Sequence, residues 1–159
     1  MIEIRRFAPG DESSVRELIN GIMSREFRDD LSAYPTEDIN DLPKAYGGIG
    51  EAFFVALADG KVVGTIGIKK EDGRIALMRR LFVESHYRKK SIGTKLIQRA
   101  LQFCDEVGYE EVVFRMTSHM NSAAKACQKC GFVQRAKLQL GPIELLKFVL
   151  SLSHVRKSA

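Results

Sequence analysis

The segment ALMRRLFVESHYRKKSIGTKLIQRAL, residues 76–101, decides the fold. Its residues up to Val83 favour a strand, residues 84–90 are polar, and the apolar positions from Ile92 onward recur at helical spacing. A strand, a basic loop and a helix are therefore predicted in succession. The first N–H groups of a helix lack internal partners and lie at the positive end of its dipole, which favours a phosphate at this turn.

The composition of the loop supports an anion site there. Its lysines add positive charge, and a glycine would let a ligand approach the backbone closely. A solvated basic loop would carry the same charges, so the residue pattern alone leaves both interpretations open. The candidate residues are Arg88, Lys89, Lys90, Ser91, Ile92, Gly93 and Thr94.

The flanking sequence predicts an α/β fold. Ile75 to Val83 and Glu111 to Thr117 read as strands on either side of the helix and form a βαβ unit with parallel strands. An N-terminal strand, an amphipathic helix and a hairpin turning at Asp59-Gly60 precede this unit. A helix from about Asn121 to Lys129 and two strands joined at Gly141-Pro142 follow it. We predict a mixed central sheet of about seven strands with flanking helices.

Size and composition indicate one globular domain. The 159 residues are 45% hydrophobic and 28% charged, which is typical of a soluble chain and short for two cores. The predicted domain covers residues 1–153, and residues 154–159 are expected to form a frayed tail. The net charge of +5 favours anionic partners, but no nucleic-acid motif accompanies it, so nucleic acid is not the expected partner.

Cysteine usage and apolar runs indicate the compartment. Three cysteines and no segment ordered like a secretory signal predict a reducing, cytoplasmic setting. Cys127 and Cys130 stand in C-x-x-C spacing without a second pair of Cys or His, so no metal site is expected. No apolar run reaches the roughly 18 residues of a membrane-spanning helix, and no membrane partner is expected.

The chain resembles the GCN5-related N-acetyltransferase (GNAT) family. The pyrophosphate loop of that family reads R/Q-x-x-G-x-G/A between a strand and a helix, here Arg88-Lys89-Lys90-Ser91-Ile92-Gly93. The resemblance extends upstream to Leu81-Phe82-Val83 and downstream to Ala123 and to Cys130-Gly131-Phe132, where the family often ends a helix with Gly-Phe. With the strand order, it covers nearly the whole chain.

This resemblance implies an acetyl-CoA-dependent N-acetyltransferase. Backbone groups of Leu81, Phe82 and Val83 would pair with the pantetheine arm and polarise the thioester carbonyl, and residues 88–94 would hold the pyrophosphate. An amine that has lost its proton to a base or to water would attack the acetyl carbonyl directly. The expected acceptor is a primary amine of a small molecule or peptide, and the acidic residues of segment 29–50 could attract a cationic one.

Three residues depart from the family pattern. Ser91 replaces the first glycine of the loop, which requires a backbone conformation open to residues other than glycine. Met120 stands where many members have an asparagine near the pantetheine, and Asn121, one residue later, is either a cofactor contact or a helix cap. Cys127 occupies the position of the usual tyrosine acid and is either the acid or a small buried side chain.

Residue types offer several candidates for the general base. Glu84 is the candidate at the end of the central strand and Glu51 is a second, each acting through water. His86 and His119 carry imidazoles, the common proton acceptors near neutral pH, although lone loop histidines are more often surface residues. Two alternatives to an enzyme are a catalytically silent acyl-CoA-binding or protein-interaction module and, on charge alone, a nucleic-acid-binding domain. A homodimer is the base-rate expectation for assembly.

Overall fold

The computed structural model describes residues 1–152, so the tail predicted at 154–159 lies outside the described residues. The strands are β1 (Ile2–Arg6), β2 (Ala52–Ala58), β3 (Lys61–Lys70), β4 (Ile75–Val83), β5 (Glu111–Thr117), β6 (Val133–Leu140) and β7 (Ile143–Ser151). The helices are α1 (Glu12–Glu26), α2 (Glu37–Asn40), α3 (Leu42–Tyr46), α4 (Ile92–Val107) and α5 (Asn121–Lys129). No helix among residues 1–152 is long and apolar enough to cross a membrane.

The strands form one sheet in the order β1-β2-β3-β4-β5-β7-β6. All neighbours are antiparallel except β4 and β5, which are parallel and joined through α4. The predicted mixed sheet with flanking helices and one central βαβ unit is therefore confirmed. Residues of β2 are buried throughout, because helices cover this part of the sheet.

Two glycines of β3 let the helices approach the sheet closely. A Cβ atom on Gly64 would lie 3.0 Å from Leu96 Cδ1 of α4. A Cβ atom on Gly67 would lie 2.7 Å from Tyr46 Cε1 of α3. Such contacts would force the Leu96 and Tyr46 side chains to shift, since packed interiors leave little room for an added methyl group.

The sheet opens between β4 and β5. Their pairing runs only from Ile75 with Glu111 to Met78 with Phe114. Beyond that point β4 pairs with β3 alone and β5 pairs with β7 alone. The register between β3 and β4 shifts at this level, and Arg80 has φ of 57°, as the first residue of a β-bulge does. The bulge turns the end of β4 away from β5 and creates a cleft.

The segment between α1 and β2 contains two short helices. Asp41 separates α2 from α3. Asp41 has an extended φ of −150°, and its side chain accepts a hydrogen bond from Lys44 N at 3.2 Å, so that it caps α3. A 3-10 helix at Arg28–Ala33 precedes them.

Candidate active site

The opening between β4 and β5 forms a cleft of about 1310 Å³. Residues of β4 line one side, while the turn after β5 and helix α5 line another, and Glu26 and Phe27 at the end of α1 contribute as well. Most predicted cofactor residues line it, namely Leu81, Phe82, Val83, Arg88, Lys89, Ser91, Ile92, Gly93, Thr94 and Asn121. Lys90 does not, and its ammonium group lies 5.6 Å from the centroid of the Tyr87 ring.

The edge of β4 that faces the cleft carries backbone groups without a neighbouring strand. Glu84 donates its N–H to Val63 O at 2.8 Å, and residues of an antiparallel pair alternate between bonded and non-bonded positions. Val83, and Leu81 two residues earlier, therefore direct their backbone groups toward the opening. Arg88 Nε uses one of them by donating to Val83 O at 2.9 Å. The others can bind an extended polar ligand as they would bind an added strand.

The loop before α4 presents a series of free N–H groups. From Lys89 to Thr94 none of these groups donates a hydrogen bond within residues 1–152. The Ser91 side chain at the N-cap position does not cap the helix either. Consecutive free N–H groups at the positive end of a 16-residue helix form an anion site.

Ser91 has a left-handed backbone, with φ of 64° and ψ of 17°. This small allowed region admits residues other than glycine only at a cost, so the condition that the substitution requires is met with some backbone strain. Ser91 keeps the conformation that a glycine would favour, at a cost of about 1 kcal/mol for a residue with a Cβ atom. The loop thus retains its shape despite the substitution.

The charged groups of the cleft divide into paired and unpaired ones. Arg88 Nη1 and Nη2 donate to the Glu26 carboxylate at 2.5 and 2.8 Å, which neutralises the guanidinium and ties the end of α1 to the loop. Lys89, Lys125 and Lys129 form no ion pair in the part of the chain that the structure describes. These lysines, rather than Arg88, leave the cleft with net positive charge.

The start of α5 places Met120 at the N-cap position and Asn121 at the first helical position. The alternative that Asn121 caps the helix is therefore wrong. Asn121 is exposed and lines the cleft, so that its contact with a cofactor stays a prediction. Met120 is buried, and the Tyr34 hydroxyl donates to its sulfur at 3.2 Å.

Cys127, the predicted acid, lies in the hydrophobic core. Its side chain is fully buried and does not line the cleft. Burial raises the pKa of the Cys127 thiol, and the neighbouring Cys130 adds to this effect. A thiol with a raised pKa transfers its proton poorly to a thiolate of ordinary basicity. The acid role stays a prediction that this position does not favour, and packing accounts for the residue.

Glu84, the predicted base, lies beside the loop and outside the lining of the cleft. Its carboxylate accepts hydrogen bonds from His86 N at 2.9 Å and contacts His86 Nδ1 at 2.8 Å. The contact with the His86 side chain lowers the pKa of Glu84, which weakens it as a proton acceptor. The second candidate, Glu51, is also outside the lining and forms an ion pair with Lys69 at 3.0 Å.

A buried polar cluster joins the 3-10 helix at Arg28–Ala33 to the turn after β5. Thr117 Oγ1 donates to Asp30 Oδ2 at 2.7 Å, and His119 Nδ1 lies 3.0 Å from each oxygen of the same carboxylate. His119 lines the cleft. Residue types identified His119 only as one of two loop histidines and Asp30 only as one of several acidic residues. No spacing signal joins them, because they are 89 positions apart in the chain.

A second buried cluster holds segment 34–46 against the β4 bulge. Arg80 Nε and Nη2 donate to the Asp38 carboxylate at 3.0 and 2.5 Å, and the Tyr46 hydroxyl donates to it at 2.6 Å. Burial by itself would raise the pKa of Asp38, but the hydrogen bonds from Arg80 and Tyr46 outweigh it and hold that pKa below its usual value. This cluster fixes the wall beside the cleft.

Sequence comparison places these features in a known family. A profile of the Acetyltransferase (GNAT) family matches residues 16–132. Human N-acetyltransferase 8 is 34% identical over 101 residues, which are 60% of this chain and 44% of that protein. The N-acetylaspartate synthetase of Danio rerio is 31% identical over 116 residues, 67% of this chain and 41% of that protein. The chain thus spans less than half the length of these two relatives.

Solved structures share the fold. An acetyltransferase from Streptococcus agalactiae superposes with a TM-score of 0.83 at 22% identity, over 95% of this chain and 98% of that one. The protein yncA of Salmonella typhimurium, in a structure with its cofactor acetyl-CoA, gives a TM-score of 0.78 at 19% identity. The superposition covers 95% of this chain and 94% of that one. The family match includes β4, the loop and the helices α4 and α5, and the chain belongs to the acetyltransferase (GNAT) family.

Proposed function

We propose that the chain is an acetyl-CoA-dependent N-acetyltransferase that moves an acetyl group to a primary amine by direct attack. The observation that carries this proposal is the continuity of the open β4 edge with the free N–H groups of residues 89–94. An extended arm that ends in phosphates would contact the β4 edge along its length and the loop N–H groups with its phosphates. Lys89, Lys125 and Lys129 supply positive charge beside that path.

In this proposal the donor binds along β4. The pyrophosphate accepts hydrogen bonds from the loop N–H groups, and the pantetheine pairs with Leu81 and Val83. A backbone N–H of the same edge polarises the thioester carbonyl and stabilises the oxyanion that forms upon attack. Arg88 shapes the site indirectly, since it binds Val83 O and Glu26.

The reaction needs two bonds to change at the acetyl carbon. The amine nitrogen forms a C–N bond to that carbon, and the C–S bond then breaks with its electron pair on sulfur. The nitrogen loses one proton before attack and one afterwards. Orienting the amine against the thioester makes the attack effectively unimolecular, which supplies much of the rate.

The acceptor would enter beside segment 29–50, where the carboxylates differ in their availability. The side chains of Asp30 and Asp38 are only 1% and 8% exposed in the clusters described above, whereas Asp29, Glu37 and Asp41 are exposed. The exposed residues could attract a cationic amine, as the sequence suggests. Relatives with names such as N-acetyltransferase 8 and N-acetylaspartate synthetase support a search among small amines and amino acids.

Isothermal titration calorimetry with acetyl-CoA and dephospho-CoA tests the donor site. We expect micromolar binding of acetyl-CoA and weaker binding without the 3′-phosphate. Lys89→Ala should weaken binding by several-fold through the lost charge, whereas Lys90→Ala is the matched control and should change it little. Unchanged affinity in Lys89→Ala would show that the phosphates do not bind beside this side chain.

Turnover with a panel of amines, followed by release of the CoA thiol, tests the reaction itself. Acetyl-CoA binding without turnover of any amine would favour the silent acyl-CoA-binding module. No binding of either nucleotide would contradict the donor site and the enzyme assignment together.

A further inference from the structure

The carboxylate of Asp30 is almost wholly removed from solvent, with 1% of its side chain exposed. A buried carboxylate requires hydrogen bonds or a cation, because the loss of hydration is costly. Thr117 Oγ1 supplies one hydrogen bond at 2.7 Å. No lysine or arginine pairs with Asp30 in the described part of the chain, and His119 is its ionisable partner.

The contact with Asp30 fixes the role of each ring nitrogen of His119. The two carboxylate oxygens lie 3.0 Å from Nδ1, so Nδ1 carries a hydrogen that it donates. In the neutral ring Nε2 then keeps its lone pair. His119 lines the cleft with 58% of its side chain exposed, which leaves Nε2 accessible to a ligand.

The backbone around His119 is also held in place. Thr117 N donates to the Tyr34 hydroxyl at 2.7 Å, and that hydroxyl donates to Met120 Sδ at 3.2 Å. The residues on both sides of the turn are therefore tied to the end of the same 3-10 helix that carries Asp30. An accessible imidazole on an anchored turn, oriented by a buried carboxylate, has the arrangement of a general base.

We propose that His119 is the general base of the transfer reaction and that Asp30 is its positioning residue. This inference rests on the proposed N-acetyltransferase activity. The Nε2 atom takes one proton from the acceptor ammonium, directly or through one water, and the resulting neutral amine attacks the thioester. The amide nitrogen loses its second proton to the departing thiolate or to water, and the imidazolium returns its proton to solvent.

Other charged groups line the same cleft and bear on the pH dependence. They are Glu26 of α1, Arg88 and Lys89 of the loop, and Lys125 and Lys129 of α5. Glu26 is bound to Arg88, and a lysine ammonium group only donates hydrogen bonds, so these groups are poor proton acceptors. Tyr34 on the other side is a phenol whose pKa burial raises, so it stays protonated and can only hold the turn.

The test compares His119→Gln with His86→Gln in steady-state acetyl transfer. His119→Gln should lower kcat/KM for the amine by about 100-fold near pH 7, with the Kd of acetyl-CoA unchanged within about two-fold. His86 lies outside the cleft lining, and His86→Gln should stay within about two-fold of wild type. The defect of His119→Gln should shrink at alkaline pH, where more of the amine is already deprotonated.

Chemical rescue supplies a second, independent measurement. Added imidazole should restore part of the activity of His119→Ala and should not stimulate wild type, because the open cleft admits a small base. If His119→Gln turns over as fast as wild type with an unchanged pH profile, the inference about His119 is overturned, whereas the proposed function is not affected. Acetyl-CoA binding by wild type without any turnover would instead refute the proposed function, and this inference with it.

Discussion

Two histidine–carboxylate pairs lie near the cleft, with similar distances and different surroundings. His86 Nδ1 lies 2.8 Å from Glu84, with 87% and 18% of the side chains exposed. His119 Nδ1 lies 3.0 Å from Asp30, with 58% and 1% exposed. The first pair is two residues apart in the chain, and the second is 89 apart. Pairing through a local turn leaves His86 in solvent, whereas pairing through the fold anchors His119 inside the cleft.

The difference shows which contacts should matter. A contact between neighbours in sequence can form without the fold and be screened by water, and such exposed pairs contribute little. A contact between remote segments forms only in the native state, and its removal leaves a buried group without a partner. We therefore expect substitutions at remote, buried pairs to have larger effects than those at local, exposed ones.

The largest effect is expected at the remote pair of Asp38 and Arg80. Asp38→Asn leaves the buried guanidinium without its counter-charge and should lower the free energy of unfolding by about 3 kcal/mol. The folded-state pKa of Asp38 is lowered, so its stabilisation is full above about pH 4 and is lost as pH falls through the folded pKa. Urea unfolding measures this free energy at pH 7 and at pH 3. The difference between Asp38→Asn and wild type should be large at pH 7 and smaller at pH 3.

The next largest effect is expected at Asp30, which can be compared directly with Glu84. Asp30→Asn can place an amide N–H against His119 and favour the tautomer with hydrogen on Nε2, so kcat should fall about 30-fold with little change in KM. Glu84→Gln, its control in the local pair, should stay within about two-fold. Steady-state kinetics checks both, and a larger loss at Glu84 would reverse the roles assigned here.

A smaller effect is expected at Ser91, where local conformation rather than contact is at issue. Ser91→Gly removes the Cβ atom from a residue with φ of 64° and should raise the free energy of unfolding by about 0.5–1 kcal/mol. Acetyl-CoA affinity should be equal or higher, because the loop shape is unchanged. Thermal unfolding and calorimetry measure the two quantities, and a destabilised variant would mean that the serine hydroxyl makes a contact of its own.

The smallest effect on catalysis is expected at Cys127. Cys127→Ala should cost about 1 kcal/mol of stability through lost packing and should leave kcat within about two-fold of wild type. The rate under saturating acetyl-CoA and amine is the relevant measurement. A ten-fold or greater loss would restore the thiol as the acid and would show that the core opens during turnover.

The bounds of β4, β5 and α5 are those that hydrophobic periodicity and glycine positions predicted. The two strands are rich in apolar residues, and Gly131 with a φ of 99° follows the end of α5, so local preference and tertiary packing agree on these elements. The segment between α1 and β2 depends more on tertiary contacts. Its two short helices are stabilised by Asp41 and by the contact of Asp38 with Arg80, and only the first of these is local.

Local sequence by itself determined the family resemblance and the free N–H groups of the loop before α4. A strand, loop and helix in succession create unpaired N–H groups wherever they occur, since the cause lies in backbone geometry. Only the tertiary structure decided that β4 separates from β5, that Cys127 is buried, and that Asp30 meets His119. Those outcomes depend on packing between segments far apart in the chain, for which residue spacing carries no signal.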